Sequence, residues 1–307
     1  MGRSFLPAAF FTQGATWNAE MFFQHLANGL IQGSLYALVA VGLTLVYGVL
    51  EVVNFAHGEL YMLAAFALFM LFSFLKFPYL LAVFLTIVAL MLLGYVLSRT
   101  AIVPHLRRSF ETTVLATLAA SIILQNGARF AFTATPRQVI VPLEDVILSI
   151  GNVIVTGQRL LVLFTAMVAF AGLQVYIRKS RTGKAMRAAS QNKEACRMVG
   201  IDVRRIASQT MVLGAALCAL AGAMVAPLYD IFPAIGTTVV FKSFAVVIMG
   251  GMGNVPGAMI AALILGLGES LAGGYISIAA RDALGFSLMI LVLLIRPDGF
   301  FGKRVRI

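Results

Sequence analysis

Charge is scarce in this chain. Asp, Glu, Lys and Arg make up 11% of its 307 residues, against 61% hydrophobic. A water-soluble domain of that composition would expose large apolar patches, which soluble proteins rarely tolerate. Lipid is the solvent that accepts it. Cysteine and histidine are almost absent. Cys196 lies in a basic segment and Cys218 in an apolar run, which excludes a disulfide framework and a clustered metal site. His25, His57 and His105 are far apart in the chain, so no His pair or Ser–His pair points to an intramembrane enzyme. A nucleotide-cradling Gly-x-x-x-x-Gly-Lys-Ser/Thr loop is missing: Gly183-Lys184 is followed by Ala185 and lacks the upstream glycine. No cofactor is expected, and any ATP must bind another subunit. Pro- or Ser-rich linkers are missing too, so one compact membrane domain is expected.

What is present is a series of apolar runs: 26–50, 60–75, 79–97, 112–132, 160–177, 206–228, a glycine-interrupted 241–267, and 283–295 extended at its start by Ala279 and Ala280. A helical span needs about 20 mostly apolar residues, so seven or eight spans follow. The fold class is all-α, a polytopic transmembrane bundle with broken or re-entrant helices. Residues 1–20 form an N-terminal tail, 21–298 the membrane domain and 299–307 a C-terminal tail. The apolar stretch Phe5 to Phe11 is too short to span.

The net charge of +11 does not indicate nucleic acid, because the basic residues flank apolar spans and so mark the cytoplasmic side. Segments 98–110, 178–205 and 296–307 hold 16 of the 23 Lys and Arg residues. They should be cytoplasmic, with 133–158 external and 51–58 on the inside. Segment 241–268 must then enter and return from the external side. Val146 to Ile150 and Val153 to Thr156 flank Gly151-Asn152 and predict a small external hairpin. Gly29, Gly33 and Ala37 share a helix face, as do Gly214, Cys218, Gly222 and Ala226. Small residues let helix backbones approach in lipid, within one subunit or between two.

Two places break the apolar pattern. One contains Asn54, His57, Gly58 and Glu59; the other contains Gly250, Gly251, Gly253, Asn254 and Gly257. Backbone freed by such breaks must be satisfied by protein or by a water-lined cavity, and discontinuous helices of this kind build substrate sites in transporters. These nine residues are therefore candidates for the substrate path. The competing readings are a surface loop in which Asn54 caps the next helix, and a tight glycine turn joining two short spans. The breaks fall in comparable positions of the two halves, which suggests an internal repeat that residue identity is too low to establish. A third feature is the basic segment 178–205. Ala185, Met186, Ala189, Ala195, Met198 and Val199 suit short amphipathic helices there.

Several motifs occur in order and at matching intervals from about residue 22 to the tail: Gly42-Leu-Thr-Leu-Val-Tyr-Gly48, Val53-Asn-Phe-Ala-His-Gly-Glu59, Gly183-Lys-Ala-Met-Arg-Ala188, Gly250-Gly-Met-Gly-Asn-Val-Pro-Gly257 and Leu294-Ile-Arg-Pro-Asp-Gly-Phe-Phe-Gly302. Together they resemble the LivH-type permease of branched-chain amino acid ABC importers. Glu194-Ala-Cys-x-x-x-Gly200 matches the ATPase-docking loop of ABC importer permeases, with Cys196 in place of its second alanine. The resemblance implies a LivM-like second permease subunit, two cytosolic ABC ATPase subunits, a periplasmic substrate-binding protein and a bacterial inner-membrane location. It also implies that Ala188, Ala189, Glu194, Ala195, Gly200 and Ile201 couple to the ATPase. Related permeases move urea or short amides, which stays open as an alternative substrate class. An ion-coupled amino acid carrier is a further alternative, disfavoured because charges gather at run ends and breaks rather than span centres.

Overall fold

In the computed structural model the described residues are 19–106, 109–150 and 153–302. The N-terminal tail to residue 18, Arg107, Arg108, the Gly151-Asn152 turn and the end of the tail from residue 303 lie outside them.

The described residues fold as eleven α-helices and one small hairpin. The helices are α1 (Ala19–Leu50), α2 (His57–Leu68), α3 (Tyr79–Leu97), α4 (Phe110–Phe132), α5 (Gly157–Lys179), α6 (Arg181–Gln191), α7 (Lys193–Met198), α8 (Val203–Val225), α9 (Ile235–Gly250), α10 (Val255–Tyr275) and α11 (Ile278–Ile295). Eight helical segments are long and apolar enough to cross a membrane, and α9 is a shorter apolar helix. This is the polytopic bundle that the apolar runs predict.

Helix α1 is the axis. Its 32 residues extend about 48 Å at 1.5 Å per residue, and Leu38, Val39, Ala40 and Val41 are fully buried. The small-residue faces serve packing inside the subunit. A Cβ on Gly29 would stand 2.8 Å from the Leu267 Cα, and one on Gly33 would stand 2.9 Å from the Leu263 Cα, so α1 and α10 touch backbone to backbone. Gly222 of α8 sits against the Tyr61 carbonyl of α2 in the same way. Helices α4, α5 and α11 form the rim and turn most of their apolar side chains outward, Phe130 and Leu294 among them.

At one end, strands β1 (Ile147–Ile150) and β2 (Val153–Thr156) pair antiparallel with Ile147 opposite Thr156. Val146 stays outside the ladder, its carbonyl accepting from Gly157 N at 2.7 Å. Gln24 of α1 pins the hairpin: its Oε1 accepts from Ile154 N at 2.8 Å, and its Nε2 donates to Ile154 O at 3.0 Å. At the opposite, basic end, Met186, Ala189, Cys196 and Ile206 close over Val46, Val49 and Leu50 at the foot of α1.

Two boundaries differ from the sequence reading. The basic stretch after α3 is not a loop at its start: a π-helical turn Ser98–Ile102 and a 3₁₀ turn Val103–His105 continue it. Ile102 is buried, which keeps the chain wound, while Arg99 faces outward. A second π-helical segment, Phe69–Phe74, extends α2 within the predicted run 60–75. Helix α9 begins at Ile235, six residues before the predicted run, because Ile235, Gly236, Val239 and Val240 are buried.

Candidate functional site

The first break is re-entrant. After Leu50 the chain turns through Glu51, which adopts φ 58°, in the left-handed region that favours glycine. It then runs back along α1, and α2 starts where His57 Nε2 lies 3.1 Å from the Val39 carbonyl. Val39 precedes Leu50 by eleven residues, so α2 begins about 16 Å up from the foot of α1. Only Glu51 remains exposed at the basic end; Asn54, His57, Gly58 and Glu59 are all buried. The sequence reading has 51–58 on the inside; within that segment, backbone and side chains from Asn54 onward pack between α1 and α8.

Asn54 makes a turn rather than the helix cap. Its Oδ1 accepts from Ala56 N at 3.1 Å, its carbonyl accepts from His57 N at 3.3 Å, and Ala56 occupies the cap position without a side-chain bond. Glu59 does fall in the first turn of α2, where the helix dipole favours an anion. Ser121 Oγ of α4 donates to Glu59 Oε1 at 3.1 Å, while Glu59 Oε2 has no hydrogen-bond partner among the described residues. Thr117 braces the segment, donating from Oγ1 to Val53 O at 3.3 Å. Gly58 meets Gly236 of α9 so closely that a Cβ on either would overlap the other's carbonyl. Gln125 of α4 donates to Thr237 Oγ1 at 2.8 Å. Polar groups of α2, α4 and α9 thus converge beside the broken helix.

The second break lies elsewhere. Asn254 caps α10 by accepting from Gly257 N at 3.0 Å, and Gly251 (φ 93°) and Gly253 (φ 81°) make the reversal. The tail is laced to it: Phe300 N donates to Met249 O at 2.7 Å, and Asn254 Nδ2 donates to Phe301 O at 2.8 Å. A Cβ on Gly48, near the foot of α1, would meet Gly253 Cα at 3.1 Å. Gly250 to Gly257 therefore form a tight turn at the basic end, while Asn54 to Glu59 lie within the bundle. The two breaks sit at different depths.

The basic segment folds as the composition predicts. Asn192 caps α7 by accepting from Ala195 N at 2.9 Å. Gly200 closes it at φ 82°, with Ile201 N donating to Cys196 O at 2.9 Å. Among the described residues, a Cβ on Gly200 would meet nothing within 4 Å. Glu194 and Gly200 are exposed, Ala188, Ala195 and Ile201 half-buried, and Ala189 is buried against the foot of α1. Ala189 therefore faces its own subunit. The exposed tip is apolar: Met198 is 84% and Val199 75% exposed. Lys193 links this segment to the first break, lying 2.9 Å from Glu51 Oε2 and donating to Leu50 O at 2.9 Å.

One polar centre escaped the sequence reading. Lys242 of α9 reaches Glu269 Oε1 of α10 at 2.8 Å. Tyr36 of α1 donates to Glu269 Oε2 at 2.8 Å and Gln32 donates to it at 3.3 Å, with Arg281 Nε at 3.8 Å. Glu269 is completely buried. Charges do occur inside the helices, contrary to the expectation that they gather at ends and breaks. The signal was there: Lys242 stands inside the predicted run, and an ionisable residue inside a span is a functional candidate by default. Gln32, Glu269 and Arg281 of this centre line a cleft of about 230 Å³ together with Asn28, Arg159 and Tyr229. Among the described residues no group of His, Cys, Asp and Glu is arranged to hold a metal.

The family model described as "Branched-chain amino acid transport system / permease component" matches residues 25–294. The chain is similar to the high-affinity branched-chain amino acid transport system permease protein LivH of Salmonella typhimurium, with 34% identity over 297 residues, 92% of this chain and 96% of that one. It is similar to BraD of Pseudomonas aeruginosa, a permease protein of the same description, at 32% over 295 residues, again 92% and 96% of the two chains. A probable LivH of Methanocaldococcus jannaschii is 29% identical over 294 residues, 90% of this chain and 91% of its own.

Proposed function

Because the chain belongs to the branched-chain amino acid transport permease family, we propose that it is the membrane-spanning subunit through which an ATP-driven importer moves leucine, isoleucine and valine. A LivM-like permease completes the membrane part. Two cytosolic ABC ATPases power it, and a periplasmic binding protein delivers the substrate. The bacterial inner membrane holds the assembly, with 178–205 and the C-terminus in the cytoplasm, as the basic-residue bias supports. Relatives of this chain are branched-chain amino acid permeases, which supports that substrate over urea, short amides or an ion-coupled mechanism.

The observation that carries the transport reading is the buried, re-entrant start of α2. Non-helical backbone at membrane depth persists only where protein or a water-lined cavity covers it, and such half-helices hold substrate in transporters. Asn54, His57, Gly58 and Glu59 then shape the path within the bundle. Gly250, Gly251, Gly253, Asn254 and Gly257 shape its cytoplasmic end. Coupling runs through Glu194, Gly200 and the apolar tip at Met198 and Val199, with Ala188, Ala195 and Ile201 backing them and Ala189 anchoring the segment inward. Lys193 passes displacement of α7 to Leu50 and Glu51, where the re-entrant segment starts.

Reconstitution with the partner subunits in proteoliposomes tests this reading. ATP-dependent uptake of labelled leucine that competes with isoleucine and valine is expected. Uptake driven by an ion gradient without ATP, or uptake of urea in place of leucine, would refute it.

A further inference from the structure

A second cleft, of about 620 Å³, opens on the flank of the bundle at the basic end, between α3, α5 and α8. Gly94 lets α3 lie directly on Ala215 and Met211 of α8, and Ser98 Oγ donates to Ser208 Oγ at 3.0 Å lower down. On the outer side of that seam the walls are graded. Arg99 and Arg205 form the rim, Tyr95 and Tyr176 stand on either side, and Val212 and Leu213 supply the floor. Arg205 and Val212 lie seven residues apart on one helix, about 10 Å along its axis. The Arg99 guanidinium rests 5.9 Å from the Tyr95 ring centroid. Among the described residues, no acid lines the cleft. Asp202, outside it, engages only the Nε edge of Arg205, at 3.3 Å.

We propose that this cleft holds one anionic phospholipid of the cytoplasmic leaflet, its phosphate and negative headgroup between Arg99 and Arg205 and an acyl chain along Val212 and Leu213. The proposal rests on the basic end facing the cytoplasm. Each element fits that occupant. Two guanidinium groups with no acid among the described lining residues select net negative charge over a zwitterion, and basic pockets between spans on this side bind such headgroups. Tyrosine belongs at headgroup depth, with its ring in the apolar layer and its hydroxyl in the polar one. A floor two turns deep gives a free anion nothing to bind and gives an acyl chain a groove. A lipid seated there would tie α3 and α5 to the lower half of α8, directly beside the 178–205 segment.

The test is lipid retention by the full chain with its co-purifying subunits, extracted into polymer-bounded native discs and read by mass spectrometry against bulk membrane composition. Phosphatidylglycerol should be enriched over phosphatidylethanolamine. The enrichment should fall at least about fivefold in R99Q/R205Q, the effect of one interfacial cation on an anionic lipid, and persist in R99K/R205K. Monodisperse elution of both variants separates this from misfolding, and the readout does not depend on substrate or transport. Absence of enrichment, retention in the Gln variant, or loss in the Lys variant would each overturn the proposal. So would equal thermal stabilisation of delipidated protein by glycerol phosphate and by phosphatidylglycerol, or, in a background lacking Cys196 and Cys218, a crosslink to the second permease from a thiol-attached photoprobe at Gln209→Cys in the assembled transporter.

Discussion

Replacing Lys242 with methionine removes an ammonium from 2.8 Å of Glu269 Oε1 and keeps a side chain of similar length. Glu269 then keeps a carboxyl group with no exposure and without its ammonium partner. Stripping one partner from a buried ion pair costs about 3–5 kcal/mol, mainly because the remaining charge stays out of water. Here the Tyr36 hydroxyl at 2.8 Å and Gln32 at 3.3 Å still donate to the other oxygen, and Arg281 stands 3.8 Å away. These contacts place the expected loss at the lower limit, about 3 kcal/mol. In K242M/E269Q the acid becomes a neutral amide whose oxygen can still accept from Tyr36, so most of the loss should return, leaving about 1 kcal/mol as for an ordinary hydrogen-bond change. The assay is reversible denaturation of the purified full chain in mixed micelles, comparing wild type, both single variants and the double variant as a cycle. Equal stability of K242M and wild type, or a double variant no more stable than K242M, would refute the claim that the pair is a buried, interdependent charge centre.

Three further outcomes are expected. Gly253→Leu places a branched side chain at φ 81° beside Gly48; forcing that backbone costs about 1–2 kcal/mol, and leucine uptake should be lost while subunits still co-purify. Normal uptake would make the segment a connecting turn only. Gly200→Trp meets no described atom of its own subunit within 4 Å of its Cβ but strains φ 82° and projects from the tip. It should release the ATPase or uncouple hydrolysis from uptake, and unchanged binding with unchanged substrate stimulation would remove the docking role. Finally, a cysteine at Gln191 in a background lacking Cys196 and Cys218 should resist an impermeant label in sealed right-side-out cells; labelling there would invert the topology.

How much of this was legible in the sequence depended on range. Apolar runs gave the spans because hydropathy is a local property, and the hairpin around 151–152 was signalled by its own turn residues. The small-residue faces were legible as faces, and the structure assigns them to contacts inside the subunit. Depth was not legible: nothing in Glu51 to Gly58 says that the chain climbs back to Val39, since that follows from fitting Gly58 to Gly236 and the Asn54 region to Met211. Of the charge centre only Lys242 was legible, as an ionisable residue within an apolar run, and its partners were not. A run average absorbs one lysine, and Lys242 acquires meaning from Tyr36 and Glu269, residues of two other helices. Orientation around the short helices was half legible. Amphipathic spacing marked Ala189 and Ala195 alike, but only packing on Val49 and Leu50 turns Ala189 inward.

The contact between α1 and α10 also sets a schedule. Tyr36 and the Glu269 that accepts its hydrogen bond are 233 residues apart. At about 5–20 residues per second of synthesis, α1 waits on the order of ten to fifty seconds in the membrane before α10 exists. Through that interval Gly29, Gly33, Gln32 and Tyr36 face lipid or whatever insertion factor shields them. The most buried helix of the finished protein is thus the one whose partner arrives almost last. Chains cut short before residue 255 lack α10 and therefore carry the glycine groove of α1 uncovered.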